Sequence, residues 1–142
     1  MSRRVGLVLA MILVLALSAA CEGGTSGSVS GSSERCSSGG SGGTCSGKWK
    51  RLTGTYSKDV ENDSIFAGDA IAVEVQVSVE AGTVRVSLED PDGEVTSVDV
   101  APGGTETLVG FAKGDFDAFD VRFQAVDGEA TGVSWEIAYQ IP

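Results

Sequence analysis

The sequence predicts an all-β protein, an antiparallel β-sandwich of about 7–8 strands with a jelly-roll or immunoglobulin-like arrangement. Apolar residues alternate with polar ones in several segments, and turn sequences separate these segments at roughly ten-residue spacing. No window keeps the period of an amphipathic helix. Strands that each bury one face pack as two layers. With 142 residues, the chain is long enough for one such domain and an N-terminal extension.

Residues 1–20 have the composition of a signal peptide. Arg3 and Arg4 precede an apolar run at residues 5–17, and the small residues Ser18, Ala19 and Ala20 follow it. A membrane-spanning helix needs about 20 apolar residues, so this run is too short for one. We therefore expect residues 1–20 to be removed on export. Because they carry two arginines and no acidic residue, their removal changes the formal net charge from −10 to −12.

Residues 21–47 are expected to form a flexible tether. Within 22–47, nine residues are Gly and nine are Ser, a composition that offers little apolar surface to bury. The chain has three cysteines, so one of them has no internal partner. Cys36 and Cys45 are separated by only eight residues and are the candidate disulfide, which leaves Cys21.

The β-sandwich is expected to occupy residues 48–142. In its clearest strand, AIAVEVQVSVE, apolar side chains from Ile71 to Val79 face one way and polar ones the other. Pro91 and Gly93 mark a turn in DPDG, and Asp127-Gly128 marks another before the last strand. The expected strands are, in order, 51–58, 70–80, 83–89, 94–100, 105–112, 119–125 and 132–141.

The context of Cys21 resembles the lipobox of bacterial lipoproteins, a signal peptide that ends in small residues before a cysteine. The resemblance implies that Cys21 is diacylated and anchors the mature protein to the cell membrane or outer membrane, facing outside the cytoplasm. Ser18 stands where that family usually has Leu. Ser18 and Ala20 also fit ordinary signal-peptide cleavage, which would release the protein instead.

The segments AGDAIAVEVQV, DPDGE and VSWEIAY together resemble a GOLD or emp24-like β-sandwich, and similar jelly-roll modules occur in bacterial lipoproteins. The resemblance covers about residues 50–142. It implies a binding or accessory module. The sequence does not identify its partner, whether protein or glycan, or its oligomeric state.

The charge pattern excludes nucleic acid as a partner. From Asp59 onward there are 18 acidic residues against three basic ones, and nucleic-acid binding depends on neutralising phosphates. The chain has no histidine, so the usual hydrolase triads are absent. We therefore expect no enzymatic activity and no cofactor other than a possible cation.

Asp115, Asp117 and Asp120 in GDFDAFD are the candidate calcium ligands, because calcium prefers several carboxylate and carbonyl oxygens from one loop. A second acidic group precedes the long strand at Asp59, Glu61, Asp63 and Asp69. The spacing is not that of an EF-hand. The alternative is that these residues form solvated turns.

Trp49 in KWKR is the candidate ligand-contacting residue, as a sugar-stacking platform. Alternatively, it covers the end of the sandwich. The expected function is accordingly a membrane-anchored binding or accessory module. The alternatives are a carbohydrate-binding domain and a structural envelope protein that self-associates through a sheet edge.

Overall fold

The computed structural model describes residues 26–142 as an all-β domain of eight antiparallel strands. This confirms the predicted fold class. Within residues 26–142 there is no helix long and apolar enough to cross a membrane. The strands are β1 (Ser28–Ser30), β2 (Ser33–Gly39), β3 (Gly42–Glu61), β4 (Ala70–Ala81), β5 (Val84–Glu89), β6 (Val95–Val100), β7 (Thr105–Lys113) and β8 (Ala118–Gln140).

Two long strands, β3 and β8, are shared between two packed layers. Residues 42–49 of β3 and 133–140 of β8 pair in the first layer, and residues 55–61 and 118–124 pair in the second. The five-stranded layer has the order β2, β3, β8, β4, β7, and in the second layer β5 pairs with β8 and β6. β1 pairs with residues 51–53 of β3, near the crossing.

Both long strands bend where they cross between layers. Gly54 has a φ of 61°, which glycine adopts readily, and the register of β3 on β8 shifts between Thr53 and Thr55. The predicted turn at Asp127-Gly128 lies in this crossing, so the segments 119–125 and 132–141 are parts of one bent strand rather than two strands. We call this side of the sandwich the crossing end.

The opposite side, the loop end, carries the connections β3–β4 and β7–β8. Gly68 N donates to Gly114 O at 2.9 Å, and Asn62 N donates to Asp117 O at 2.8 Å. Exposed Phe66 and Phe116 belong to these two loops. The described chain starts at Ser26, which bridges to Thr55 at the crossing end.

The expected tether is corrected by the structure, because residues 28–47 form β1, β2 and the start of β3 rather than a flexible spacer. Each residue of β2 pairs with β3 from Ser33–Lys48 to Gly39–Gly42. The glycines and serines contribute main-chain hydrogen bonds to the sheet, which need no apolar side chain. Residues 21–25 and the expected signal peptide lie outside the described residues.

The core lies between the layers, and it contains all five apolar residues predicted for β4. Ile71, Val75 and Val77 are at most 1% exposed, and Val73 and Val79 are 3% exposed. Trp135 and Tyr139 of β8 are also buried in this core. Burial of each of the aliphatic side chains of β4 stabilises the folded domain by about 1.5–3 kcal/mol.

Candidate functional site: the outer face of the five-stranded layer

The outer face is the side of the five-stranded layer that points away from the core. Since side chains alternate along a strand, every second residue of β2, β3, β8, β4 and β7 lies on it. The pairing of the strands aligns these residues in rows. One row is Ser37, Thr44, Ala138, Glu74 and Val109, and the next is Arg35, Ser46, Glu136, Gln76 and Thr107.

Two open grooves run along this face. A groove of about 770 Å³ is lined by residues of β3, β8, β4 and β7, including Thr44, Ala138, Ala72, Gln140 and Phe111. We call it the small-residue groove. A second groove of about 540 Å³, the polar groove, reaches β2 and is lined by Arg35, Lys48, Gln76, Ser134 and Glu136, among others.

The polar side chains of the outer face are available to a ligand. None of the side-chain hydrogen bonds found within residues 26–142 involves Glu74, Gln76, Glu136 or Gln140. All four residues are exposed. Their amide and carboxylate groups offer both donors and acceptors.

Two exposed apolar residues border the small-residue groove on β7. Val109 is 67% exposed and Phe111 is 54% exposed, and both line the groove. Leu108 and Ala112 of the same strand are buried in the core, so β7 presents apolar side chains on both faces. An aromatic side chain held half-exposed beside a groove can stack on a flat ligand.

Trp49, the sequence candidate for ligand contact, is buried between the layers and is not a surface platform. It is 1% exposed, and its ring centroid lies 4.9 Å from that of Phe123 and 5.4 Å from that of Tyr56. Its indole Nε1 donates to Glu34 Oε1 at 3.3 Å. The alternation of β3 explains this position, because Trp49 faces inward with Cys45 while Lys48 and Lys50 face outward.

The candidate calcium ligands Asp115, Asp117 and Asp120 do not form a metal site in the described residues. Across positions 26–142 there is no group of three or more His, Cys, Asp or Glu side chains arranged to hold a metal ion. Asp115 accepts a hydrogen bond from Phe116 N at 2.8 Å, and Asp117 occupies a turn with a φ of 57°. These are the contacts of a tight turn.

Asp120 instead pairs across the strands with Asp59, which belongs to the second acidic group. A hydrogen bond with Asp59, partial burial and the charges of Asp59 and Asp115 raise the pKa of Asp120 to about 6, and Arg122 opposes this change. The two carboxyl groups line a cleft of about 550 Å³ at the loop end.

The candidate disulfide is present, and it joins two directly paired residues. Cys36 of β2 and Cys45 of β3 are bonded, with their Cα atoms 4.1 Å apart. The bond therefore fixes β2 to the edge of the outer face. Cys21, the candidate lipid-attachment residue, lies outside the described residues.

Comparisons with known proteins give only distant structural similarity. No family model and no curated protein matches the chain. A cupin domain from Bordetella pertussis is 14% identical over 81% of this chain and 97% of that one, with a TM-score of 0.35. A family 11 carbohydrate-binding module of a Clostridium thermocellum cellulosomal cellulase is 16% identical over 83% and 84%, with a TM-score of 0.32.

The expectation of no enzymatic activity is withdrawn, because the similar structures also include enzymes. One is an oxalate decarboxylase of Lactobacillus farciminis, 14% identical over 84% of this chain with a TM-score of 0.34. This chain corresponds to 34% of the length of that enzyme. At this similarity the match assigns no reaction to the chain.

Proposed function

We propose that this protein is a membrane-anchored, extracytoplasmic binding module whose ligand contacts the outer face of the five-stranded layer. The proposal rests on three features that occur together on this face. They are the open grooves, the polar side chains that make no side-chain hydrogen bond within residues 26–142, and the exposed pair Val109 and Phe111. Recognition sites combine apolar contact with a few positioned polar groups in this way.

The proposed anchor is a lipid on Cys21. Residues 22–25 separate Cys21 from Ser26, and the five Cα–Cα steps between these two residues span at most about 18 Å. Because Ser26 bridges to Thr55 at the crossing end, such an anchor holds the crossing end near the membrane. The loop end then points away from the membrane, and the outer face lies along the side of the domain. Two acyl chains give stable membrane attachment.

Detergent phase partitioning tests the anchor. The exported protein is expected in the detergent phase, and the Cys21→Ser variant in the aqueous phase. An exported wild-type protein found in the aqueous phase, with a mature N-terminus at Cys21 that carries no lipid, would contradict the anchor. That result would favour release of the protein by ordinary signal-peptide cleavage.

Binding to isolated cell envelopes tests the outer face, with every protein in the Cys21→Ser background so that the proposed lipid does not itself retain it. The variants Phe111→Ala and Gln76→Ala change this face, whereas Phe116→Ala changes an even more exposed aromatic residue at the loop end. We expect the first two to weaken retention and the third to leave it unchanged. Equal retention of all four proteins would refute the assignment of this face.

Self-association is the second candidate function, and a free strand edge favours it. Among the strands of residues 26–142, β7 pairs only with β4, so within this part of the chain its other edge presents unpaired main-chain groups beside Val109 and Phe111. Sedimentation velocity over a range of concentrations tests it. A mass that rises with concentration and falls with Val109→Lys would support a structural envelope protein, and a constant monomer mass would exclude this candidate.

A further inference from the structure

We propose that the ligand of the outer face is a neutral polysaccharide chain laid across the strands, with Phe111 as its stacking residue. This inference rests on the proposed function and names the ligand class of the same site. It assigns the stacking role to Phe111, since Trp49 is inside the core.

The floor of the small-residue groove is shaped for close approach of a flat ring. Ala72, Ala138 and Thr44 line it, together with Gly42 and Gly43, and none of these has a long side chain. Phe111 of β7 is directly opposite Ala72 of β4, so its ring lies beside a part of the groove floor that has only a small side chain. A sugar ring has an apolar face of C–H groups that packs on an aromatic ring.

The polar groups of the face match a polymer of hydroxyl groups. Neighbouring strands lie about 4.7–4.9 Å apart, so a chain that crosses the strands meets a new row of side chains at each step. Gln76 and Gln140 can both donate and accept, while Glu74 and Glu136 accept. Sugar hydroxyls also donate and accept, and therefore pair with either kind of group.

The charged side chains of the outer face favour binding of a neutral polymer over an anionic one. Glu74 and Glu136 lie in the middle of the face, whereas the cations Arg35 and Lys48 lie toward its β2 edge. A phosphate or uronic-acid polymer that crosses the face from β7 meets the two carboxylates. This repulsion disfavours nucleic acids, teichoic acids and acidic polysaccharides.

The distribution of apolar residues also disfavours a protein partner. Binding hot spots of protein interfaces cluster at the centre of the interface in desolvated pockets. Here the large exposed apolar residues Val109 and Phe111 are at one edge, and the centre combines small residues, Ala72 and Ala138 among them, with serine, threonine, glutamine and glutamate side chains. That arrangement suits a ligand that is hydrogen-bonded along its length.

Affinity electrophoresis tests the inference with the exported protein in gels that contain dextran, hydroxyethyl cellulose, galactomannan or polygalacturonate. We expect at least one neutral polymer to retard the wild-type protein and polygalacturonate not to. Phe111→Ala should weaken that affinity by about threefold to tenfold, and Phe116→Ala should not change it. No retardation by any neutral polymer, or equal loss in the two variants, would overturn the inference.

Retention on isolated envelopes separates a failure of this inference from a failure of the proposed function. If no neutral polymer binds, but Phe111→Ala still reduces envelope retention, the ligand class is wrong and the binding face stands. If no neutral polymer binds and the Phe111→Ala variant is retained on envelopes like the wild-type protein, both the ligand class and the binding face are wrong.

Discussion

Glu34 of β2 and Lys58 of β3 form an ion pair that joins the two layers, with Nζ and Oε2 2.6 Å apart. The other carboxylate oxygen of Glu34 accepts the hydrogen bond from Trp49. Only 15% of the Lys58 side chain and 28% of the Glu34 side chain are exposed, and the ammonium group is 5.8 Å from the centroid of the Trp135 ring. The pair therefore connects the β2 edge of the outer face to the opposite layer.

Removal of Glu34 should destabilise the domain. Glu34→Ala leaves the half-buried ammonium of Lys58 and the indole N–H of Trp49 without their acceptor, which costs about 1–3 kcal/mol of unfolding free energy. Urea unfolding measures the loss. The control is Glu129→Ala in the exposed pair with Arg51, where the side chains are 51% and 58% exposed and the expected change is within about 0.5 kcal/mol. Equal losses in the two variants would contradict the role of Glu34.

The disulfide between Cys36 and Cys45 should stabilise the domain, since it closes a loop that belongs to the sheet. The loop-entropy relation gives about 2–3 kcal/mol for a ring of this size. The double variant Cys36→Ala, Cys45→Ala should lose this amount in urea unfolding. A reductant should lower the stability of the wild-type protein to a similar extent and leave the double variant unchanged. An unaltered wild-type midpoint in reductant would show that β2 does not contribute to the folded unit.

Asp120 should make stability depend on pH. Its folded-state pKa of about 6 lies above the ordinary value, so the folded protein binds the proton more tightly than the unfolded chain. The contribution is fully present below about pH 4 and is lost as the pH rises through about 6. Asp120→Asn should remove this dependence, so that the variant gains stability relative to wild type between about pH 4 and 7.

Unfolding by urea at several pH values measures that difference. Asp127→Asn, at an exposed position of the crossing, is the control and should follow the wild-type curve. Parallel curves for wild type and Asp120→Asn would contradict the coupling between Asp59 and Asp120.

Trp49→Ala should cost about 3–5 kcal/mol, because it leaves a cavity among Tyr56, Phe123 and Trp135. Phe111→Ala, at a surface position, should change stability by no more than about 0.5 kcal/mol. Thermal and urea unfolding measure both. A Trp49→Ala variant with wild-type stability would contradict the core position of this residue.

Local pattern was sufficient to predict β4 and the fold class, because alternation along one strand is visible in the sequence. It was insufficient for residues 28–47. Gly and Ser give a composition typical of linkers, while the start of β3 pairs with β8, which is distant in sequence, and β2 pairs with that start of β3. Composition indicates how much apolar surface the side chains can bury, but it does not show which strands the main chain can pair with.

The proposed binding face was not identified from the sequence for a related reason. Residues 105–112 were predicted as a strand, but no face was assigned to Val109 and Phe111. The sequence nevertheless contained a signal. Val109 and Phe111 alternate with Leu108 and Ala112 along the strand, so one of these two pairs had to face away from the core. The cross-strand pair Asp59 and Asp120 left no such signal, since it depends on the register of β3 against β8.

Hydroxyl-radical footprinting of the exported protein, alone and bound to isolated envelopes, tests the central claim most directly. The four side chains to compare are Val109 and Phe111 on the outer face and Phe66 and Phe116 at the loop end, all of which are exposed in the free protein. The account predicts that binding protects Val109 and Phe111 and leaves Phe66 and Phe116 as reactive as before. Protection of Phe66 and Phe116 with unchanged reactivity at Phe111 would contradict it and would place the binding surface at the loop end.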